Sequence, residues 1–245
     1  MDRAPSLVVF SGAGISQESG ISTFRDPGGL WERFRPEELA TPDAFAARPD
    51  VVWRWYRWRF EKIRAAEPNP GHRTIASWQE RFPSLLVVTQ NVDRLHQRAG
   101  SREVVELHGD LWTARCARCR RRVPRERALE LAGEPPACAC GGPLRPNVVW
   151  FGEMLPREAF LHADAAAARC DLFVVVGTSA RVYPAAGLIE VAAEGGATVI
   201  EVNREETPLS QLAARTYRGA AGEILPRLTG EIESWAREGR WPSPS

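Results

Sequence analysis

Four short apolar runs punctuate this chain, and each leads straight into small or polar residues suited to a ligand. Leu7-Val8-Val9-Phe10 leads into Ser11-Gly12-Ala13-Gly14, and Leu85 to Val88 into Thr89-Gln90-Asn91. Leu172 to Val176 leads into Gly177-Thr178-Ser179, and Ala197 to Val202 into Asn203-Arg204-Glu205. Unbroken apolar runs rich in branched residues read as strands buried on both faces. Helical, alanine-rich stretches separate them at Glu158 to Arg169 and Ala185 to Ala193, with a terminal helix from about Glu223 to Arg237. The expected fold is therefore α/β, a Rossmann-like doubly wound parallel sheet. In such sheets ligands bind beyond the carboxyl ends of the strands, so the four polar tails should meet along one edge.

Two segments break the pattern. Pro49 to Arg64 carries Trp53, Trp55, Tyr56, Trp58 and Phe60 among arginines, and reads as a helix packed on something apolar, within a helical insertion spanning residues 31–80. Trp112 to Pro146 is rich in arginine and proline, and lies in a small inserted module spanning residues 111–147. With little apolar periodicity, it needs a staple to hold its shape. The 245 residues are read as one domain with these two insertions. A net charge of +1 argues against bulk attraction to nucleic acid or membrane. Met1-Asp2-Arg3-Ala4-Pro5 lacks a signal-peptide core, and no apolar run approaches a bilayer span, so a soluble cytoplasmic protein is expected.

Gln90-Asn91-Val92-Asp93, followed by His108 in Leu107-His108-Gly109, is hard to explain as core filling. Carboxamides, a carboxylate and an imidazole can hold a polar ligand and move a proton. Gly12-Ala13-Gly14 suits a turn near a pyrophosphate, but Gln17 replaces the third glycine of the dinucleotide fingerprint, and a purely structural turn explains the pair about as well. Thr178, Ser179, Asn203 and Glu205 are ordinary strand-end residues one at a time; their agreement at several ends is the signal. Tyr56 and Arg59, three apart, share a helix face and suit a carboxylate, although most arginines of that segment are expected to be solvated. His72, His96 and His162 read as structural.

Four of the five cysteines form two close pairs, Cys116-x-x-Cys119 and Cys138-x-Cys140, with eighteen residues between them. Two close thiolate pairs are what tetrahedral zinc requires, and a site closed by four cysteines is structural. Arg118, Arg120, Arg121 and Arg122 offset its charge, while Cys170 reads as a core residue.

Taken together these motifs resemble the sirtuins, NAD-dependent protein-lysine deacylases. The similarity runs from about Leu7 to Leu228 and rests on Gly12 to Ser16, Gly20 to Arg25, Gln90 to Asp93, Leu107 to Gly109, the four cysteines, Val149-Trp150-Phe151-Gly152-Glu153 and Gly177 to Ser179. Gly29-Leu30-Trp31, Tyr56-x-x-Arg59 and Val182-Tyr183-Pro184-Ala185-Ala186 resemble class III members, whose Tyr and Arg bind the acidic end of succinyl- or malonyl-lysine. Two features depart from that pattern: Gln17 stands where class III members commonly have Ala, and Cys138-x-Cys140 is tighter than the usual pair.

The resemblance implies NAD as cosubstrate and one structural zinc ion. It places the pyrophosphate at Gly12, Ala13 and Gly14, and the adenine and its ribose near Asn203, Arg204, Glu205 and Ala221. Further NAD contacts fall on Ile15, Glu18, Thr23, Phe24, Trp31, Gln90, Gly177, Thr178 and Ser179, with Arg25 closing over the cofactor. Asn91 and Asp93 serve the nicotinamide side, and His108 is the general base. Tyr56, Arg59, Val149, Phe151, Gly152 and Glu153 face an acylated-lysine protein or peptide. The implied reaction gives free lysine, nicotinamide and 2′-O-acyl-ADP-ribose from succinyl-, malonyl- or acetyl-lysine. A sensor that binds NAD or ADP-ribose without turnover is the alternative, disfavoured because binding alone needs no imidazole base. A hydride-transferring dehydrogenase is disfavoured by the missing third glycine and the cysteine pairs.

Overall fold

The structure is a computed structural model and describes residues 4–23 and 35–238. Nine strands are found among them. The main sheet holds β1 (Leu7–Ser11), β2 (Leu85–Thr89), β3 (Val104–Glu106), β7 (Leu172–Val176), β8 (Thr198–Asn203) and β9 (Arg215–Arg218), all parallel, in the order β3-β2-β1-β7-β8-β9. Ser11 pairs with Thr89 on one side and Val176 on the other, so the three central strands end in register. The chain winds outward in both directions from the β1/β7 boundary, and that switch point opens the crevice.

The apolar runs are continuous because both faces are covered. Val8, Phe10, Val88, Phe173 and Val175 face α7 (Arg157–Ala167) and α8 (Gly187–Glu194), through Ala163, Ala167, Leu188, Ile189 and Ala192. Leu7, Val9, Val87, Leu172 and Val174 face the other way, onto Ile75 and Trp78 of α4 (Pro70–Arg81) and Leu225, Leu228, Ile232 and Trp235 of α9 (Ala221–Glu238). Alternate residues thus serve alternate cores, as the two-residue period of a strand demands. The edge strands β3 and β9 are short and half-polar, and carry no comparable signal in the sequence.

Between β1 and α4 lie α1 (Pro36–Leu39), α2 (Pro42–Ala47) and α3 (Pro49–Ala65), each with proline in its first turn, where the missing N–H costs nothing. The apolar side of α3 packs Trp55, Tyr56, Phe60 and Ile63 with Leu111, Val148 and Trp150. Those last three belong to or follow a second, antiparallel sheet of β5 (Arg122–Pro124), β4 (Gly109–Cys116) and β6 (Leu144–Val148). The cysteine-bearing segment, read in sequence as lacking periodicity, therefore forms a small sheet with a one-and-a-half-turn helix, α6 (Arg125–Glu130), against it. The remaining helix, α5 (Leu95–Arg98), follows the Gln90 to Asp93 segment. In the described residues no helix is long and apolar enough to cross a membrane.

Candidate active site

A cavity of about 260 Å³ opens at the carboxyl ends of β1, β2 and β7. Its wall carries Gly12, Ala13, Gly14, Gln90, Asn91, Asp93, His108, Gly177, Thr178 and Ser179 from the segments that follow the strands, and Thr23 from beyond the 3-10 helix Ala13–Ser19. Tyr56 and Arg59 from α3, and Val149, Phe151, Gly152 and Glu153 from the segment after β6, complete it. Residues far apart in sequence thus converge on one space.

The packing of the strand-end loops by itself requires the glycines of this turn. The Gly12 N–H donates to the Val176 carbonyl at 3.0 Å and the Gly14 N–H to the Gly177 carbonyl at 2.7 Å. A Cβ on Gly14 would stand 2.7 Å from that same oxygen, and one on Gly177, whose φ is +57°, would meet the Ile15 nitrogen at 2.4 Å. These glycines let two strand-end loops interlock across the switch point; they are needed for loop-to-loop contact before any ligand arrives.

Behind the turn runs a directed hydrogen-bond chain. Asn91 Nδ2 donates to the Gly12 carbonyl at 3.0 Å and to Ser16 Oγ at 3.1 Å, and Ser16 Oγ donates to Asp93 Oδ2 at 2.7 Å. Asp93 Oδ1 accepts the Leu95 N–H at 2.9 Å. With both amide protons of Asn91 engaged, only its carbonyl oxygen is left to serve a ligand. Burial raises the Asp93 pKa, against the hydrogen bonds from Leu95 and Ser16 that lower it. Ser16 holds Asn91 and Asp93 together, a part not assigned to it from the sequence, although it closes the Gly12 to Ser16 motif.

His108 Nδ1 lies 3.0 Å from the Gln90 carbonyl oxygen. A carbonyl only accepts, so the neutral ring carries its proton on Nδ1 and keeps Nε2 as a lone-pair base. Burial lowers the pKa of His108, and the bond to Gln90 partly opposes this. The adjoining Gly109 has φ +74°, and a Cβ there would stand 2.1 Å from the Asn147 carbonyl oxygen. Only glycine lets β4 start this close to β6.

Another part of the wall is built from Tyr56 and Arg59, 3% and 7% exposed. The Arg59 guanidinium lies 5.0 Å from the Trp55 ring centroid and 5.9 Å from that of Tyr56. Burial lowers its pKa, which the nearby Tyr56 and Asp93 counter. Glu153 faces inward: its carboxylate takes Arg145 at 2.7 and 2.8 Å, Arg115 at 3.1 and 3.2 Å, and the Trp150 N–H at 2.9 Å. Its bonds organise the loop that lines the cavity.

Other sequence-designated residues lie outside the cavity wall. Ile15 is fully buried beneath the turn. Glu18 accepts the Gly222 N–H at 2.8 Å and so joins the 3-10 helix Ala13–Ser19 to the start of α9, where Ala221 stands. Asn203 donates to the Thr178 carbonyl at 2.7 Å and accepts the Arg204 N–H at 3.0 Å, while Glu205 is exposed beside them. Gln17, half-buried, is also off the cavity wall. Phe24, Arg25 and Trp31 lie outside the described residues.

In the small module the four cysteine sulfurs fall within 4.8 Å of one another, with Cys116 and Cys140 at 3.5 Å and Cys119 and Cys138 at 3.8 Å. A tetrahedral zinc at ~2.3 Å from each sulfur requires sulfurs ~3.8 Å apart. The donor set and its spacing fit a structural zinc ion. Cys170 is apart from it, buried, with its thiol pushed up to about 12 by burial.

A parallel sheet with a glycine-lined crevice at its switch point and an inserted cysteine module defines a nucleotide-binding α/β class. The Sir2 family model matches residues 12–184, and the chain belongs to the Sir2 family. It is 55% identical over 227 residues to "NAD-dependent protein deacylase 2" of Pyrobaculum aerophilum, covering 92% of this chain and 90% of that protein. It is 50% identical to the "NAD-dependent protein deacylase" of Aquifex aeolicus, with 91% and 93% covered. Among solved structures, a Sir2 homolog–NAD complex superimposes with a TM-score of 0.85 at 47% identity, covering 94% of this chain and 90% of the other. A Sir2–p53 peptide–NAD+ complex does so with 0.84 at 34% identity, covering 94% of each.

Proposed function

We propose that this chain is an NAD-dependent protein-lysine deacylase whose cavity prefers acyl groups ending in a carboxylate, succinyl and malonyl above acetyl. The observation that carries the reading is the single cavity shared by the glycine crevice, the Asn91–Ser16–Asp93 chain, His108 and the Tyr56–Arg59 wall. The deacylases of similar length and about 50% identity support it.

When bound, NAD supplies an anomeric carbon with nicotinamide as its leaving group. The Asn91 carbonyl oxygen and the Asp93 carboxylate, held by Ser16, orient the nicotinamide side of the cosubstrate. His108, through Nε2, takes the proton of a ribose hydroxyl, and its neutral form near pH 7 suits that task. Thr178, Asn203 and Glu205 at the next strand ends serve the adenosine half. Peptide backbone adds as a strand between Val149 to Glu153 and the loop after Gly177, with limited dependence on its sequence. Arg59, permanently charged, offers a two-pronged contact for an acyl carboxylate, and Tyr56 stands beside it. Acyl-lysine, NAD and one water molecule together give free lysine, nicotinamide and 2′-O-acyl-ADP-ribose. The four thiolates belong to the reduced cytoplasm.

The test is nicotinamide release with one peptide carrying unmodified, acetyl-, malonyl- or succinyl-lysine. Release should require an acyl group, with succinyl or malonyl favoured over acetyl by roughly tenfold or more in kcat/KM. Arg59→Met should lower the acidic substrates far more than acetyl, and Tyr56→Phe should do so to a smaller extent. NAD binding without acyl-dependent release would instead identify a sensor, and an equal loss on every acyl group in Arg59→Met would make Arg59 structural.

A further inference from the structure

The indole of Trp150 has no role in the reading above, yet it touches the residue on which acyl choice rests. Trp150 Nε1 lies 3.0 Å from the Tyr56 hydroxyl, and the two residues are 2% and 3% exposed. An indole N–H can only donate, because the nitrogen lone pair belongs to the ring. Tyr56 is therefore the acceptor of that bond, and its single proton points away from Trp150. Both residues line the cavity together with Arg59.

The indole is itself clamped. The Arg145 guanidinium lies 3.3 Å from its ring centroid, and Phe45 packs at 5.3 Å between centroids. Glu153 grips Arg145 through both oxygens while accepting the Trp150 backbone N–H. Ring, guanidinium and carboxylate form one rigid unit, which leaves the indole N–H no other direction.

We infer that Trp150 is a specificity-determining positioning residue, which by occupying the acceptor side of Tyr56 commits the phenol to donate its proton toward the acyl group. This rests on the acyl preference proposed above. An acyl carboxylate accepts that proton, whereas an acetyl methyl cannot, and a buried donor left unsatisfied penalises the shorter group. The contribution of Tyr56 to selectivity thus depends on a residue that need not touch the acyl carboxylate.

Trp150→Phe removes the N–H and keeps an aromatic ring for Arg145 to cover. Steady-state kinetics on the succinyl and acetyl peptides should show the succinyl-to-acetyl ratio of kcat/KM falling roughly three- to tenfold, mostly through KM for the succinyl peptide. In a Tyr56→Phe background the same change should leave the ratio where Tyr56→Phe alone puts it. In ¹⁵N-indole spectra, the signal missing from Trp150→Phe should shift and exchange faster with solvent in Tyr56→Phe. A wild type that prefers succinyl while Trp150→Phe keeps its full ratio overturns this inference alone. So does a loss that persists undiminished without the Tyr56 hydroxyl, which marks a packing effect, or an indole signal indifferent to Tyr56→Phe. A wild type with no preference for acidic acyl groups overturns the acyl reading, and this inference with it.

Discussion

His108 stands between β3 and β4 with its Nδ1–H given to the Gln90 carbonyl, so one backbone contact sets both ring orientation and tautomer. Burial lowers its pKa first and foremost, with the Gln90 bond in partial opposition. A base works only when deprotonated, so a lowered pKa would keep His108, in the role of base proposed for it, competent as pH falls from 7. The acid limb of kcat/KM for deacylation should therefore lie below the ordinary histidine value of ~6.5. His108→Ala should lower deacylation by roughly 10²–10⁴-fold while nucleotide binding persists. A pH–rate profile whose acid limb sits above the ordinary value, or near-normal turnover in His108→Ala, would show another group to be the base.

At the scale of elements, the sheet of β4, β5 and β6 is the part of the molecule whose stability a zinc ion at the four cysteines should affect most. Of the two apolar clusters that join it to α3, the one nearer the cysteines contains Trp53, Ala114, Cys116, Ala128, Cys138 and Leu144, so two of its buried members belong to the four-cysteine group. Arg125, 1% exposed, lies 4.0 Å over the Trp53 ring, and none of its three guanidinium nitrogens has a hydrogen-bond partner among the described residues. The cation–π contact offsets part of that desolvation cost, and burial lowers its pKa to about 10. Because the cysteine end of this element has a small apolar cluster, metal binding there should contribute folding energy. Freshly purified protein should hold about one zinc per chain, and Cys138→Ser should lower both zinc content and the thermal midpoint. Full stability in a zinc-free sample, by metal analysis and calorimetry, would remove zinc from the account.

Across the whole molecule, two histidines join the layers. His72 from α4 and His96 from α5 meet edge to face with ring centroids 5.0 Å apart, and His96 Nε2 lies 2.9 Å from Ser11 Oγ at the end of β1. Burial lowers His72 to about 2, helped by His96, and lowers His96 to about 4. Above ~6.5 neither state of the protein protonates them, and these residues add no pH dependence. As pH falls below that value the unfolded chain binds protons that the folded one refuses, so stability drops until the folded pKa is reached. For His96 alone this amounts to something on the order of 3 kcal/mol between pH 6.5 and its folded value. Urea unfolding at pH 7, 5.5 and 4.5 should show the decline, and His96→Gln should make it shallower, with the share of His72 remaining. An unchanged slope in that variant would assign the acid sensitivity to other groups.

The strands β1, β2, β7 and β8, the helix around Tyr56 and Arg59, and the two cysteine pairs were legible in the sequence. Each depends on local pattern: burial on both faces yields unbroken apolar runs, helical spacing puts i and i+3 on one side, and thiolate pairs need short spacing. The edge strands β3 and β9 were not legible, because a short half-exposed strand carries no distinctive pattern. The small sheet was hidden for a related reason, since its two longer strands are stabilised largely by contacts with α3 and the cysteine cluster. Tertiary structure alone decided that Gly12 and Gly14 pack on Gly177, that Ser16 links Asn91 to Asp93, and that Glu153 holds Arg145. It also placed Trp150 against Tyr56 across 94 residues of chain. A sequence determines which groups a chain possesses and the local period that orients them; distance and direction between remote groups arise only when the layers pack, and donor and acceptor roles at the site follow from that packing.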